Sequence, residues 1–374
     1  MDEIYHNVTP LFTEWVIGRA YLHEPFIVID VGVQGGPHVR WQYLGSCARA
    51  YGFDPISEVI ESLEKTKEPT QLYRAIALGN EDGQRQFRVP ANTYESSFYS
   101  SSMDTGSQGT IALGPRTVEI RRLDSLFAAG EIPPADYIKL DCEGFESEVI
   151  RGARNYLASS NILCVTAESN FGGSPGYLRT PFVEICEMLS EHRLLVFDVA
   201  ADRSPRPSYV AARARRPWSK PDIMKERPPP QIGQLGTFDF LFCRDFVAEK
   251  ATPHHFVTLQ GASLSPTVDK LIKSMINFEL HGLMDCAVDL AQCYRTQLSE
   301  RFDVDEGVER LIYRPTLARH TADTVECLRM ISDLRLRIDE LERAPNTTKF
   351  LVAQLGARLA TAPARLWRRY ISSR

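Results

Sequence analysis

The stretch "FIVIDVGVQGGPHVRWQYLGSCARAYGFD", Phe26 to Asp54, decides how the rest of the chain is read. Its first seven residues are apolar and β-branched, apart from one acid, and suit a buried strand over 26–32. Glycines follow, and then Pro37 opens a helical pattern over 37–49. "AYGFD" (50–54) is a second strand. Strand, glycine loop, helix and strand make one unit of a parallel sheet.

The same alternation continues. Helix 55–66 and strand 71–78 follow, then strand 135–142, helix 145–157, strand 161–169 and helix 182–192. Strands 193–200 and 237–245 close the series. "GQRQFRV" and "TVEIRRL" alternate weakly and suit an edge hairpin or a surface insertion. The expected fold is α/β, a doubly wound, mostly parallel, seven-stranded sheet of Rossmann-like type with helices on both faces. The last two strands are separated by a Pro/Arg-rich insertion (203–233) that reads either as a solvated loop or as a lid for an anionic group.

The flanks differ in character. Residues 1–25 read as a helical lead-in, 26–245 as the main domain, and 246–344 as an all-helical C-terminal extension. Cys327, Ile331, Leu334, Ile338 and Leu341 form a seam two heptads long, for packing on its own domain or for a homodimer contact. The tail 345–374 is basic and amphipathic, and suits either a solvated helix or a peripheral membrane contact.

Composition narrows the classes. The 374 residues carry 43 Lys+Arg against 48 Asp+Glu, a net charge of -5, which offers no global attraction for nucleic acid. The eight Cys form no C-x-x-C pair, and several lie in apolar runs, as buried free thiols of a reducing compartment do. The acidic N-terminus does not read as a signal peptide, and no run reaches the ~20 apolar residues of a spanning helix. A cytoplasmic protein is expected, with possible attachment at the inner membrane face through the tail.

Asp30, Gly32, Gly35 and Gly36 end the first strand, at the edge where open α/β sheets bind ligands. Glycines admit close backbone approach there. A dinucleotide loop presents amides to a pyrophosphate, and Asp30 would repel one. A carboxylate suits a cation instead, such as the ammonium of S-adenosylmethionine. Asp54 lies 24 residues beyond Asp30, where an acid accepts hydrogen bonds from ribose hydroxyls, or caps the helix that opens at Pro55.

"DYIKLDCEGFESEVIRG" (136–152) adds carboxylates to the same edge. Asp141 and Glu143 either cap the next helix or take part in chemistry. Glu146 and Glu148 fit the helix dipole alone. A carboxylate beside an acceptor hydroxyl orients it and accepts its proton. Alternatively, Asp141, Glu168 and Asn170 form an oxygen-rich site for Mg²⁺.

With these residues together, 26–245 resembles the FkbM family of S-adenosylmethionine-dependent methyltransferases. The resemblance is carried by Leu123-Asp124, Lys139, Asp141-Cys142-Glu143-Gly144, Glu146 and Gly152-Ala153, and by Asp30, Gly32 and Gly36 of the first loop. "GFDP" stands where the family has a Glu-Pro pair. Gln34 stands in place of an Asn, and Pro37 in place of an aromatic residue. The resemblance implies a class I methyltransferase fold. It implies O-methylation of a hydroxyl on a sugar, glycan or polyketide-type acceptor, as in cell-surface polysaccharide pathways. Two other readings remain. One is an NAD-dependent sugar-modifying enzyme, disfavoured by Asp30 and by the lack of a Tyr-x-x-x-Lys motif. The other is a non-catalytic scaffold. "YESSFYSSSM" (94–103) is placed on the acceptor side.

Overall fold

A computed structural model describes residues 9–89, 98, 114–160, 162–169, 182–204, 234–252 and 265–312. Met1–Ile312 forms one compact unit and Tyr313–Arg374 another. The 205–233 stretch of the insertion, the 94–103 loop except Phe98, Asn170, the heptad seam and the basic tail lie outside the described residues.

The strands are β1 Phe26–Val31, β2 Ala48–Phe53, β3 Gln71–Arg74, β4 Ala77–Leu78, β5 Gly83–Val89, β6 Gly114–Arg121, β7 Tyr137–Leu140, β8 Cys164–Ser169, β9 Leu194–Ser204 and β10 Gln234–Arg244. The main sheet has seven strands in the order β3-β2-β1-β7-β8-β10-β9, and β10 runs antiparallel to both neighbours. This is the doubly wound sheet that the alternation of apolar runs predicts. The order reverses between β1 and β7, which opens a crevice at their carboxyl ends.

Three local expectations are corrected. The expected strand 71–78 breaks after Arg74, and Ala77–Leu78 joins a separate three-stranded sheet, β4-β6-β5. The two weakly alternating runs are the antiparallel pair β5 and β6 of that sheet. The helix expected over 37–49 is a 3₁₀ helix, Val39–Cys47, with Gly45 at φ +50° inside it, and Ala48 already belongs to β2. The helix expected over 145–157 is two helices, α4 Glu146–Arg151 and α5 Arg154–Ser160. The break falls at Gly152, where a Cβ would lie 1.9 Å from the Gly79 carbonyl oxygen.

The remaining helices are α1 Leu11–Gly18, α2 Ser57–Glu64, α3 Leu123–Ala128, α6 Phe182–Ser190, α7 Phe246–Ala251, α8 Val268–Leu280, α9 Met284–Cys293, α10 Arg295–Leu298 and α11 Val304–Ile312. None is long and apolar enough to cross a membrane. Side chains alternate across the strands, so β1 serves two cores. Ile27, Ile29 and Val31 pack with α3 to α6 and the small sheet. Phe26 and Val28 pack with α1, the 3₁₀ helix and the helices beyond 265.

The described helices between 246 and 312 therefore belong to the body of the fold. The boundary between compact units falls after Ile312, and no boundary falls at 245. Buried polar contacts fix this layer. Asp136, 2% exposed, accepts from Lys270 Nζ at 2.6 Å, Lys273 Nζ at 3.0 Å and the Ile27 amide at 2.9 Å. Glu279 accepts from the Phe12 amide at 2.9 Å, and from the Thr13 amide and hydroxyl at 2.7 and 2.6 Å. Pro10, at the start of α1, has no side chain to cap the helix, so Glu279 satisfies these first-turn donors. Cys164 and Cys243 are buried free thiols paired across β8 and β10, and Asn277 donates to Cys164 Sγ at 2.5 Å.

Candidate active site

One face of the sheet changes character over two residues. In register across β1, β7, β8 and β10 lies the row Val28, Tyr137, Cys164, Cys243. Two residues further toward the carboxyl edge of the parallel strands lies the row Asp30, Lys139, Thr166, Leu241. Beyond that come Asp141, Glu168 and its cross-strand partner Asp239. Apolar residues anchor the sheet, and charges gather where the strands end.

The first loop is shaped by backbone contact. The Gly32 N–H donates to the Phe53 carbonyl at 2.9 Å, and the Asp141 N–H donates to the Val31 carbonyl at 3.1 Å. Gly32 has φ +81°, and a Cβ there would lie 1.8 Å from the Asp141 carbonyl oxygen. Only glycine lets the first loop and the turn after β7 meet. Gly36 has φ +88° and continues the turn.

Asp30 is 2% exposed, and its Oδ1 has no hydrogen-bond partner among the described residues. Lys139 Nζ stands 3.7 Å from that oxygen and 2.9 Å from Asp141 Oδ2. Burial raises the Asp30 carboxyl above its usual range, Lys139 opposes the rise, and Asp141 adds to it. Burial alone would lower Lys139. Asp30 and Asp141 outweigh it and hold the ammonium charged, above its ordinary range. Lys139 thus sits between the two acids.

Asp54 lies at the end of β2, 3% exposed, and its Oδ1 accepts from the Ile56 N–H at 2.8 Å. Burial pushes it up to about 6 against that hydrogen bond. It joins Gly32, Asp141 and Glu143 in the lining of a cleft whose apolar walls include Phe53, Ile76 and Phe98.

After β7 the chain turns sharply, with Glu143 at φ +56° and Gly144 at φ +91°. Glu146 holds the turn. It is 1% exposed and accepts from the Cys142 N–H at 2.9 Å and the Gly144 N–H at 3.2 Å. The dipole role expected for Glu146 is therefore too small, since its carboxylate fixes where Asp141 and Glu143 point. Oxygens of Asp141, Glu143 and Glu168 lie within 4.8 Å of one another, a spacing that could hold a cation. Asn170, the third ligand expected there, lies outside the described residues. Burial, then Asp141, Glu143, Glu146 and Asp239, push Glu168 up to about 9.

Asp30, Gly32, Gly36, Asp54, Asp141, Glu143 and Glu168 all line or border two adjoining cavities. Sequence reasoning assigned no role to Lys139, Asp239 or His281, which line the second cavity. The charges within "YIKLD" and "TFDFLF" were the available signals for the first two. His281 comes from a helix distant in sequence, and no local signal marks it.

Residues 30–194 match the family model described as the methyltransferase FkbM domain. The hexuronic acid methyltransferase AglP of Haloferax volcanii is 25% identical over 177 residues, which are 46% of this chain and 64% of that protein. Among solved structures, methyltransferase FkbM from Methylobacillus flagellatus KT aligns with 13% identity over 64% of this chain and 50% of its own, with a TM-score of 0.32. A 1,6-didemethyltoxoflavin-N1-methyltransferase of Burkholderia thailandensis, solved with S-adenosylhomocysteine, aligns with 13% identity over 65% of this chain and 81% of its own, with a TM-score of 0.26. The chain thus spans 64% of the curated relative and half of the FkbM structure.

Proposed function

We propose that this chain is an S-adenosylmethionine-dependent methyltransferase that acts on a hydroxyl of a sugar or glycan. The observation that carries the reading is the junction of β1 and β7. There the glycine loop touches the Asp141 turn, and a buried carboxylate oxygen of Asp30 has no hydrogen-bond donor among the described residues, with Lys139 Nζ 3.7 Å away. A carboxylate oxygen so placed suits the ammonium group of S-adenosylmethionine as an ion-pair partner. Asp54 offers a carboxylate to ribose hydroxyls, and the Phe53, Ile76 and Phe98 walls suit a flat base. The relative that acts on hexuronic acid supports the choice of a sugar acceptor.

S-adenosylmethionine, when bound, supplies an electrophilic methyl group. The chain supplies the rest. Asp141, partly exposed at the edge of both cavities, orients the acceptor hydroxyl and takes its proton. Lys139 fixes one Asp141 oxygen and balances the charge it shares with Asp30. Glu143 stands on the strained turn beside Asp141. A second reading, in which Asp141, Glu143 and Glu168 hold a divalent cation that acidifies the hydroxyl, is favoured by their mutual approach within 4.8 Å.

Titration calorimetry with S-adenosylmethionine, with NAD as control, tests the cofactor assignment. Binding of the first alone is expected. Binding of NAD alone would replace this reading with a dehydrogenase, and no binding of either would favour the scaffold. Asp141→Asn is expected to cut methyl transfer to p-nitrophenyl β-D-glucuronide by about 10²-fold or more while leaving cofactor affinity in place. Full activity in that variant would end both the base and the cation roles.

A further inference from the structure

The second cavity, about 550 Å³, is of the size that small-molecule sites occupy, about 300–1,000 Å³. It shares Gln34, Lys139 and Asp141 with the cleft that contains Asp54. A molecule in the second cavity therefore meets the first at the proposed base. Trp41, Tyr137 and His281 form a packed aromatic group in its lining, with Trp41–Tyr137 centroids 4.7 Å apart and Tyr137–His281 5.7 Å.

His281 is the residue that points to a ligand. It caps the C-terminal end of α8, outside the matched residues 30–194, and is 6% exposed. Its Nδ1 lies 2.8 Å from the Asn277 carbonyl oxygen, which can only accept, so Nδ1 carries a proton. Burial, then Arg40 and His38, hold the imidazole well below its usual range, against the Asn277 hydrogen bond, so it is neutral. Nε2 is then a lone-pair acceptor. It is buried and has no hydrogen-bond partner among the described residues. A buried acceptor without a donor is costly, and the cavity that the His281 residue lines is the space from which a donor can come.

We infer that the second cavity is the acceptor site, that its occupant is a polyhydroxylated molecule, and that a hydroxyl not undergoing methylation donates to His281 Nε2. The proposal rests on the methyltransferase reading and adds a residue from the helical layer to it. Donor-rich chemistry fits an orphan acceptor among the residues lining this cavity, His281 Nε2. Asp239, on the strand next to β8, adds a carboxylate for further hydroxyls. The aromatic group presents apolar surface to the C–H face of a sugar ring. His281 also places a ceiling on the acceptor: a group with only lone pairs at that position leaves the imidazole unsatisfied and binds worse.

The test is His281→Phe, which removes the acceptor atom and keeps a flat ring. KM for p-nitrophenyl β-D-glucuronide is expected to rise about tenfold, the effect of one lost hydrogen bond. Calorimetric affinity for S-adenosylhomocysteine is expected to stay unchanged, while the melting temperature falls by a few degrees, because Phe also lacks the Nδ1 donor to the Asn277 carbonyl, which keeps its bond from the residue-281 amide. An unchanged KM overturns the proposal. A wild-type protein that binds no S-adenosylhomocysteine sinks the methyltransferase reading instead, so the two failures are distinct. Should the Phe variant not fold, ¹⁵N NMR of imidazole-labelled wild-type protein reads the same atom. An unprotonated Nε2 that shifts upfield on adding methyl β-D-glucopyranoside is expected. A protonated Nε2 at neutral pH, or a signal unmoved by a sugar that calorimetry shows bound, overturns the proposal.

Discussion

Replacing Glu168 by Gln should make the protein more stable, and more so as the pH rises. Glu168 titrates at about 9 in the folded chain against an ordinary 4.5. The folded state therefore keeps a proton that the unfolded state has already lost. The stability that this proton represents is fully present below pH ~4.5 and is lost as pH climbs toward ~9, with no further change above. The slope is at most about 1.4 kcal/mol per pH unit. Between about pH 5.5 and about pH 8.5 the wild type should lose up to ~4 kcal/mol from this group, and about half that after partial solvent screening. Gln keeps the shape and removes the titration. Urea unfolding of both proteins at the two pH values gives the comparison. The gap should widen by about 2 kcal/mol at the higher pH. An equal gap at both would refute the picture of Glu168 as a carboxyl crowded by burial and four neighbouring acids. Millimolar MgCl₂ separates the two catalytic readings. A cation seated on Asp141, Glu143 and Glu168 would erase the widening, and an indifferent response favours direct proton transfer.

Two further substitutions probe how the site is held. Gly32→Ala places a methyl group against the Asp141 backbone in a left-handed residue, so the loop and the turn after β7 must part. A loss of about 1–3 kcal/mol in stability, together with loss of cofactor binding by calorimetry, is expected; retained affinity would show that the loop tolerates separation. Glu279→Ala strips three donors of α1 of their acceptor. Urea unfolding should show a loss of about 2–4 kcal/mol, and amide exchange at Phe12 and Thr13 should accelerate more than in the sheet. Uniform exchange would mean that α1 is held by its apolar face alone.

Much of this was legible in the residues. Apolar, β-branched runs such as "FIVID" are buried on both faces, so they read as continuous short strands between glycine loops and helical patterns, and the main sheet followed from them. Asp30, Gly32, Asp54 and Asp141 were legible because strand ends in an open sheet converge on one edge. The misreadings have a common cause. Gly152 and Ala77–Leu78 sit where local pattern continues but a distant partner intervenes, the Gly79 carbonyl in one case and β6 in the other. Glu146 looked like a dipole residue because its amide partners, Cys142 and Gly144, lie upstream in a turn whose shape the sequence does not display. Lys139 was visible as a residue of the motif, but its role depends on the register that sets it beside Asp30.

The helical layer shows why the polar row is left open. Helix α8 runs along one face of the sheet, 13 residues or roughly 20 Å. At its start Lys270 and Lys273 bind Asp136, just before β7. Further along, Asn277 meets the Cys164–Cys243 pair, the row that still contains Tyr137. The helix ends at His281, against Tyr137 and Trp41. Thus α8 covers the apolar rows and stops as the row of Asp30, Lys139 and Thr166 begins. Gly282, at φ +79°, and the Leu283 N–H bonded to the Phe278 carbonyl turn the chain away. The same ending leaves the His281 ring among the residues that line the cavity. The span of one helix, begun at the Thr267 cap and ended before Gly282, thereby determines which residue of the helical layer reaches the cavity.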